Sequence, residues 1–425
     1  MARVVILTRT YYPAELPITF RVASFARWLP DCGHSVRVIA PEWNRASTRS
    51  NPYLAGALAD AIPDERKAEI VFFPASPSVY NDWRGKYPAL QPFTGNPDLI
   101  RKMVEAGKQL YQREPFDVIL ATAPPFVSML KAADQLSREL GVPWVADMRD
   151  ISGQFPEKRE AGLFGAAVSL VRRLTRVRER WIAAETLFCN RAFVTTTVSD
   201  SLADMLRMQG VRRVEVILNG YEEAHFKVPP IAGSKFAVQY FGTFNVYFEI
   251  TPLFDALDKL LHDEKIDPAD FEVVFWGSQV ASFVEPLVSS RLCRKVVKAK
   301  SHIPKTEANA RMKGSQVLLH LSYRGTKGLF TSKLMEYFAA GAPILSVPGD
   351  GDVVDHFLRD TGAGVSLDDP GAIAEFLLKH YQAWKRGETI ANSVDPGIKE
   401  FYTRRKQAEK MARLLDEAIA DNQGR

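Results

Sequence analysis

The sequence predicts an α/β protein of two doubly wound domains. Three observations predict it: short unbroken apolar runs, helix-period segments between them, and the recurrence of this alternation on both sides of a turn-rich bridge. Residues 4–7 read Val-Val-Ile-Leu, apolar at every position, as expected of a parallel strand covered on both faces. A loop over 8–17 leads to a helix over about 19–32, where Phe20, Ala23, Phe25, Ala26 and Leu29 share one side and Gly33 supplies the stop. Residues 35–40 form the next strand. The stretch 42–100 is loop-heavy with one strand at 70–73. Strands at 117–121 and 144–147 flank a helix over 126–140, and strands at 194–197 and 214–217 complete the first domain. Asn219-Gly220, then Pro229, Pro230 and Gly233, mark a bridge. Beyond it, strands at 236–242, 273–277, 296–299, 317–321 and 344–347 alternate with helices at about 251–263, 280–290, 305–312, 331–340 and 371–381. A charged helix over about 398–420 ends the chain. The expected division is a first domain over 1–218, a linker over 219–235, a second domain over 236–395 and a terminal helical segment over 396–425.

A chain of 425 residues exceeds one core of ordinary size. With 46% hydrophobic and 25% charged residues it is globular rather than disordered. Cys32, Cys189 and Cys293 are odd in number and far apart, which gives no disulfide framework and fits a reducing compartment. The apolar run at the start is too short for a signal peptide, and no window approaches the ~20 apolar residues of a spanning helix. A net charge of +5 and the lack of a reader motif argue against nucleic acid. The seven histidines are scattered without ligand spacing, so no metal site is expected. Asp350-Gly-Asp352 reads as a turn.

The chemistry concentrates in residues 330–343. Thr331 and Ser332 are N-cap residues, and Gly341 and Pro343 are stop signals. Ser332 and Glu336 lie four apart on one helix face, beside Lys333. Free N–H groups, a hydroxyl and an ammonium at a helix start make an anion site. A carboxylate one turn deeper can accept hydrogen bonds from two vicinal hydroxyls. Diphosphate and ribose read together mean a nucleotide-sugar. The competing reading is an amphipathic helix with an exposed Lys-Glu pair.

The Ser-Lys-Leu-Met-Glu-Tyr core at 332–337 resembles the donor-binding helix of GT-B glycosyltransferases of family 4. The similar branch acts in polysaccharide, O-antigen or capsule assembly. The resemblance implies two Rossmann-like domains facing across a cleft, and transfer of a sugar, with retention, from a nucleotide-diphosphate-sugar to a hydroxyl of a saccharide or polyprenyl-linked saccharide. It implies a hexosyltransferase-like enzyme without cofactor or metal, cytoplasmic or at the inner face of the plasma membrane. A UDP-sugar is the donor to test first. Glu336 matches the ribose-binding glutamate, and Ser332 and Lys333 the diphosphate-binding helix start, with Leu334 between them. Gly242 and Thr243, ending the strand at 236–242, resemble the glycine loop that approaches donor phosphates. Where the family places an arginine and a lysine, this chain has Thr243, Phe244, Asn245 and Tyr247, so Arg324, Lys327 and Lys333 are candidates for the charge. Gly277 and the segment 302–304 are similar to loops near the donor base. A first family glutamate is replaced by Gly328, and the backbone of Gly328, Leu329 and Phe330 is the candidate for its place.

In the first domain, the tyrosine-proline loop at 11–13 and the Gly-His turn at 33–34 resemble the family's opening. The loop after the first strand lies at the carboxyl edge of the sheet, so Glu15 and Arg21 are candidate acceptor-side residues; Arg21 reads equally as a solvated helix residue. Arg149 and Asp150, with 155–157 after them, are similar to an acceptor-side segment. Asp150 can orient an acceptor hydroxyl or act as base, or the two form a strand-end ion pair. Residues 162–181 read as a basic amphipathic helix with Arg172, Arg173, Arg176 and Arg180, which suits either a membrane surface or a core helix with a solvated arginine face. Two other functions stay open: a nucleotide-sugar epimerase of the same fold, and a non-catalytic nucleotide-sugar-binding or membrane-docking partner.

Overall fold

The computed structural model describes residues 1–43, 70–74, 96–123, 127–154, 176–244, 248–277, 279–323 and 325–424. Asn245, Arg324, residues 155–157 and the 162–175 part of the basic helix lie outside them. Two units divide the chain: Met1–Asn219 with Arg404–Arg425, and Gly220–Thr403.

The first unit is a seven-stranded sheet of β1 (Ala2–Thr8), β2 (His34–Glu42), β3 (Ile70–Pro74), β4 (Val118–Ala123), β5 (Trp144–Met148), β6 (Val194–Thr197) and β7 (Val214–Val216), in the order β3-β2-β1-β4-β5-β6-β7. All pairings are parallel; Val4 faces Val118 across one side of β1 and Val36 across the other. β4 and β5 are buried along their whole length, which is why their sequences are largely apolar without alternation, Thr122 and Asp147 being the polar exceptions. Helix Pro97–Arg113 was not among the expected elements. Asn96 caps it, accepting from Asp98 and Leu99 N–H at 3.1 Å, and Leu99, Ile100, Met103, Val104 and Leu110 form its buried side. Gly107 lets it close on the neighbouring helix Ser128–Leu140: a Cβ there would stand 2.6 Å from a Leu136 methyl. The last helix, Arg404–Gln423, buries Ala408, Met411, Leu415 and Ala418 among Val4, Ile6, Val22 and Phe25.

The second unit is a six-stranded parallel sheet of β8 (Phe236–Phe241), β9 (Phe271–Trp276), β10 (Val297–Lys300), β11 (Val317–Leu321), β12 (Ile344–Val347) and β13 (Gly364–Ser366), in the order β10-β9-β8-β11-β12-β13. Of the expected linker, 219–235, residues 220–235 are tied to this unit. Lys313 donates to the Phe226 and Val228 carbonyls at 2.9 and 2.6 Å, Asn309 to His225 at 3.1 Å, and Ile231 N–H to Ala310. The terminal segment is likewise two helices, Pro396–Phe401 in the second unit and Arg404–Gln423 in the first.

In each sheet the strand order reverses once, between β1 and β4 and between β8 and β11. Loops leaving the carboxyl ends on either side of such a reversal diverge and leave a crevice, the usual ligand position in open parallel sheets. In the second unit those loops are Gly242–Thr243 after β8 and the segment after β11 that enters helix Ser332–Ala340.

Candidate functional site: a helix start at the reversal of the second sheet

Helix Ser332–Ala340 begins as the N-cap chemistry requires. Thr331 is extended (φ −81°, ψ 152°) and its hydroxyl accepts from Leu334 N–H at 3.3 Å; Gly341 ends the helix in the left-handed region at φ 92°. Of the two candidate caps, Thr331 takes the role and Ser332 is the first helical residue, partly exposed.

Lys333 is the centre of the site. Its ammonium lies 4.3 Å from the centre of the Tyr240 ring and donates to the Tyr240 hydroxyl at 3.0 Å, while that hydroxyl donates to the Thr243 carbonyl at 2.9 Å. The other wall is Gly242, at φ 144°, where a Cβ would stand 2.1 Å from Lys333 Nζ. The stem of Lys333 keeps some surface, but its charged end is enclosed. Desolvation therefore pushes its pKa down to about 8, against an opposing pull from Glu336. Burial pushes the Tyr240 phenol up, so it stays a neutral hydrogen-bonding group. Tyr337, from the same helix, accepts from Phe241 N–H at 2.8 Å and so pins the end of β8 beneath the helix.

Gly277 meets Gly242 across β8 and β9: a Cβ at 277 would lie 1.9 Å from the Gly242 carbonyl oxygen. Trp276 donates to Gln239 at 2.8 Å, and Lys300 and Arg311 each approach its ring at 4.7 Å. Under the helix start, at the ends of β11 and β12, His320 Nδ1 meets Ser346 Oγ at 3.0 Å and Ser322 Oγ at 3.3 Å. Burial, reinforced by nearby Lys333, pushes His320 down to about 3, so this polar floor is uncharged.

Several expected contacts are corrected by the geometry. Gly328 N–H donates to Asp352 at 2.6 Å and Phe330 N–H to the Gly328 carbonyl at 2.9 Å, so these amides are engaged within the protein. Phe330 packs edge-on against Phe357 in the core, and Leu334 is fully buried; neither side chain offers a ligand surface. Leu329 is partly exposed and Lys327 exposed. The 350–352 triplet is a turn: Asp350 accepts from Asp352, Val354 and Asp355 N–H, and Asp352 from Gly328. Among the described residues no group of three or more His, Cys, Asp or Glu is assembled to hold a metal.

Glu336 is engaged by Lys305, the first residue of helix Lys305–Lys313. Sequence reasoning stopped at 304 and missed it. It also missed the roles of Tyr240, His320 and Ser346. Their signal is position, since each lies in or at the end of an apolar strand run, where a polar side chain needs a reason.

In the first unit Arg21 is neither solvated nor free to meet a ligand. It is buried and clamps Asp147 with two bonds of 2.8 and 2.9 Å, then donates to the Ile217 and Leu218 carbonyls. Thr196 adds a bond to Asp147 at 2.8 Å, so the pair is saturated and ties β5, β6 and the end of the unit to the first helix. Glu15 is exposed on the loop after β1. Arg149 and Asp150 stand 3.5 Å apart at the end of β5, the ion-pair arrangement, with both side chains retaining surface. The loop behind them is held by Glu185, which accepts from Ser152 N–H at 3.2 Å and its hydroxyl at 2.8 Å. Burial pushes Glu185 up to about 7.

Two parallel sheets of this order, each with its reversal loops, define a protein of GT-B fold, and known structures agree. The chain is similar to sucrose-phosphate synthase from Thermosynechococcus elongatus, at 16% identity and a TM-score of 0.60, covering 100% of this chain and 98% of that one. It is similar to a glycosyltransferase from Rickettsia africae, at 11% identity and 0.58, over 99% and 94%. It is also similar to Anabaena HepE in complex with UDP-glucose, at 12% and 0.54, over 100% and 98%. No curated protein matches the chain. Residues 18–220 match the family described as Glycosyl transferase 4-like domain, a match that lies almost wholly in the first unit. No helix among the described residues is long and apolar enough to cross a membrane.

Proposed function

We propose that the protein is a glycosyltransferase that takes a hexose from a nucleoside-diphosphate-sugar, a UDP-sugar first among them, and transfers it to a saccharide or polyprenyl-linked saccharide hydroxyl. One observation carries the reading: at the reversal of the second sheet, a helix start presents an enclosed ammonium, Lys333 against Gly242, with Glu336 one turn further on. A diphosphate meets that ammonium and the helix dipole, and Glu336 takes the ribose diol. Lys333 is still an ammonium at neutral pH but is stripped of much of its water, so an approaching anion meets a poorly solvated cation, and the charge that builds on the departing diphosphate is met there without a metal ion. The structure of HepE with UDP-glucose supports the donor class. Asp150, with Arg149, is the proposed acceptor-side acid/base pair, and Glu15 a proposed acceptor contact. The Ser-Lys-Leu-x-Glu-Tyr pattern supports a role in cell-surface glycan assembly with retention, on the cytoplasmic side, with residues 162–181 resting on the membrane. Incubation with a panel of nucleotide-sugars, with and without lipid extract, tests this. Acceptor-dependent release of nucleoside diphosphate is expected; interconversion of free nucleotide-sugars, or binding without turnover, overturns it. Glu336→Ala is expected to weaken donor binding at least about tenfold while leaving thermal unfolding unchanged.

A further inference from the structure

Glu336 is not placed by its own helix alone. Lys305 comes from a different helix, donates its ammonium to Oε1 of Glu336, and no group among the described residues engages Oε2. The pair is reachable by solvent, with Lys305 43% and Glu336 20% exposed. Lys305 itself stands on a fixed base. Pro304 leads into its helix with extended geometry, and the far end of that helix is fastened by Asn309 and Lys313 to the carbonyls of His225, Phe226 and Val228. Lys333, one turn before Glu336, turns instead to Tyr240 and Gly242. The carboxylate thus has a cation bonded on one oxygen and, among the described residues, no partner on the other.

We infer that Lys305 is a positioning residue for nucleotide recognition: it fixes the Glu336 carboxylate with Oε2 presented to the ribose hydroxyls and offsets its charge beside the incoming diphosphate. This rests on the reading of Glu336 as the ribose acceptor. A long acidic side chain left to itself would lose rotamer freedom on binding and would repel the anion; a cation held at a fixed place removes both penalties. The readout is therefore discrimination between sugars of the nucleotide, beyond affinity itself.

The test uses calorimetry on the full chain. UDP, GDP, ADP and CDP identify the diphosphate that binds most tightly, and its 2′-deoxy and 3′-deoxy counterparts are then compared with it. Lys305→Met is expected to weaken the ribonucleotide about tenfold, leave the deoxynucleotides nearly unchanged, and so collapse the ratio between them. Lys305→Arg is expected to restore most of that ratio, and Lys305→Met in a Glu336→Gln background to add no further loss. Thermal unfolding shows that each variant is folded. An unchanged ribose-to-deoxyribose ratio in Lys305→Met overturns the inference while sparing the donor site. Failure of every diphosphate to bind the parent, or binding that ignores the ribose hydroxyls and Glu336→Ala alike, overturns the donor reading and this inference with it.

Discussion

The enclosed ammonium of Lys333 makes donor binding a proton-uptake reaction at alkaline pH. In the free protein its pKa lies at about 8, against an ordinary 10.5, because desolvation disfavours the charged form. A diphosphate beside it favours the charged form and returns the pKa toward the ordinary value. The bound state then holds more protons than the free state between these two values, so affinity falls as pH rises through that window. With 8 free and 10.5 bound, the dissociation constant rises roughly tenfold between pH 7 and pH 9, and the full span corresponds to about 3 kcal/mol. In a nucleotide-sugar the diphosphate is esterified at both ends and fully ionised throughout, so with that ligand it adds no slope of its own. Calorimetry in buffers of different ionisation enthalpy checks the mechanism directly: about 0.9 proton taken up per nucleotide at pH 9, and little at pH 7. Lys333→Met is expected to bind weakly with a flat profile. A dissociation constant constant from pH 7 to 9 in the parent, or the same slope in Lys333→Met, refutes the reasoning.

Three further outcomes follow from the packing. Asp147→Ala strands the buried Arg21 guanidinium and is expected to cost about 3–5 kcal/mol in urea unfolding; a loss under about 1 kcal/mol would show the clamp to be incidental. Glu185 has its pKa raised to about 7, so the folded state keeps a proton that the unfolded chain has lost, and stability falls as pH rises from about 4.5 to 7. Glu185→Gln is expected to remove that slope and to be up to about 3 kcal/mol more stable than the parent at pH 8 but not at pH 5; parallel profiles argue against it. Gly277→Ala drives a methyl into the Gly242 carbonyl and is expected to cost about 1–3 kcal/mol in stability and most of the nucleotide affinity, measured on the same samples; unaltered affinity would detach this contact from the site.

The fold was legible where signals are local. Strands such as β1 and β12 announce themselves by short apolar runs, and helix Ser332–Ala340 carries its cap and stop within a few residues. Helix Pro97–Arg113 was legible too, since Asn96, Pro97 and the spacing of Leu99, Met103 and Leu110 spell it; a stretch treated as loop concealed it. Of the candidate site, only the helix start was legible from its own spacing, while Gly242 and Gly277 were reached through a resemblance. Lys333 and Glu336 share a motif, but Lys305 reaches Glu336 from another element, and no periodicity reports a partner that depends on how two helices pack. Arg21 shows the opposite failure. Its position after β1 suggested a ligand, whereas its partner Asp147, 126 residues away, became visible only once β1, β4 and β5 were in register. Gly328 likewise looked like an open cradle until Asp352 arrived from the loop after β12.

The helix Arg404–Gln423 has a consequence for synthesis. Residues 220–403 form an uninterrupted block that can fold as it leaves the ribosome, whereas Val4 and Ile6, made before it, wait for Met411 and Leu415, made after it. A premature stop shortly after Thr403 would therefore spare the later-made unit and leave the earlier-made one with an open apolar seam, which is a target for chaperones and proteases.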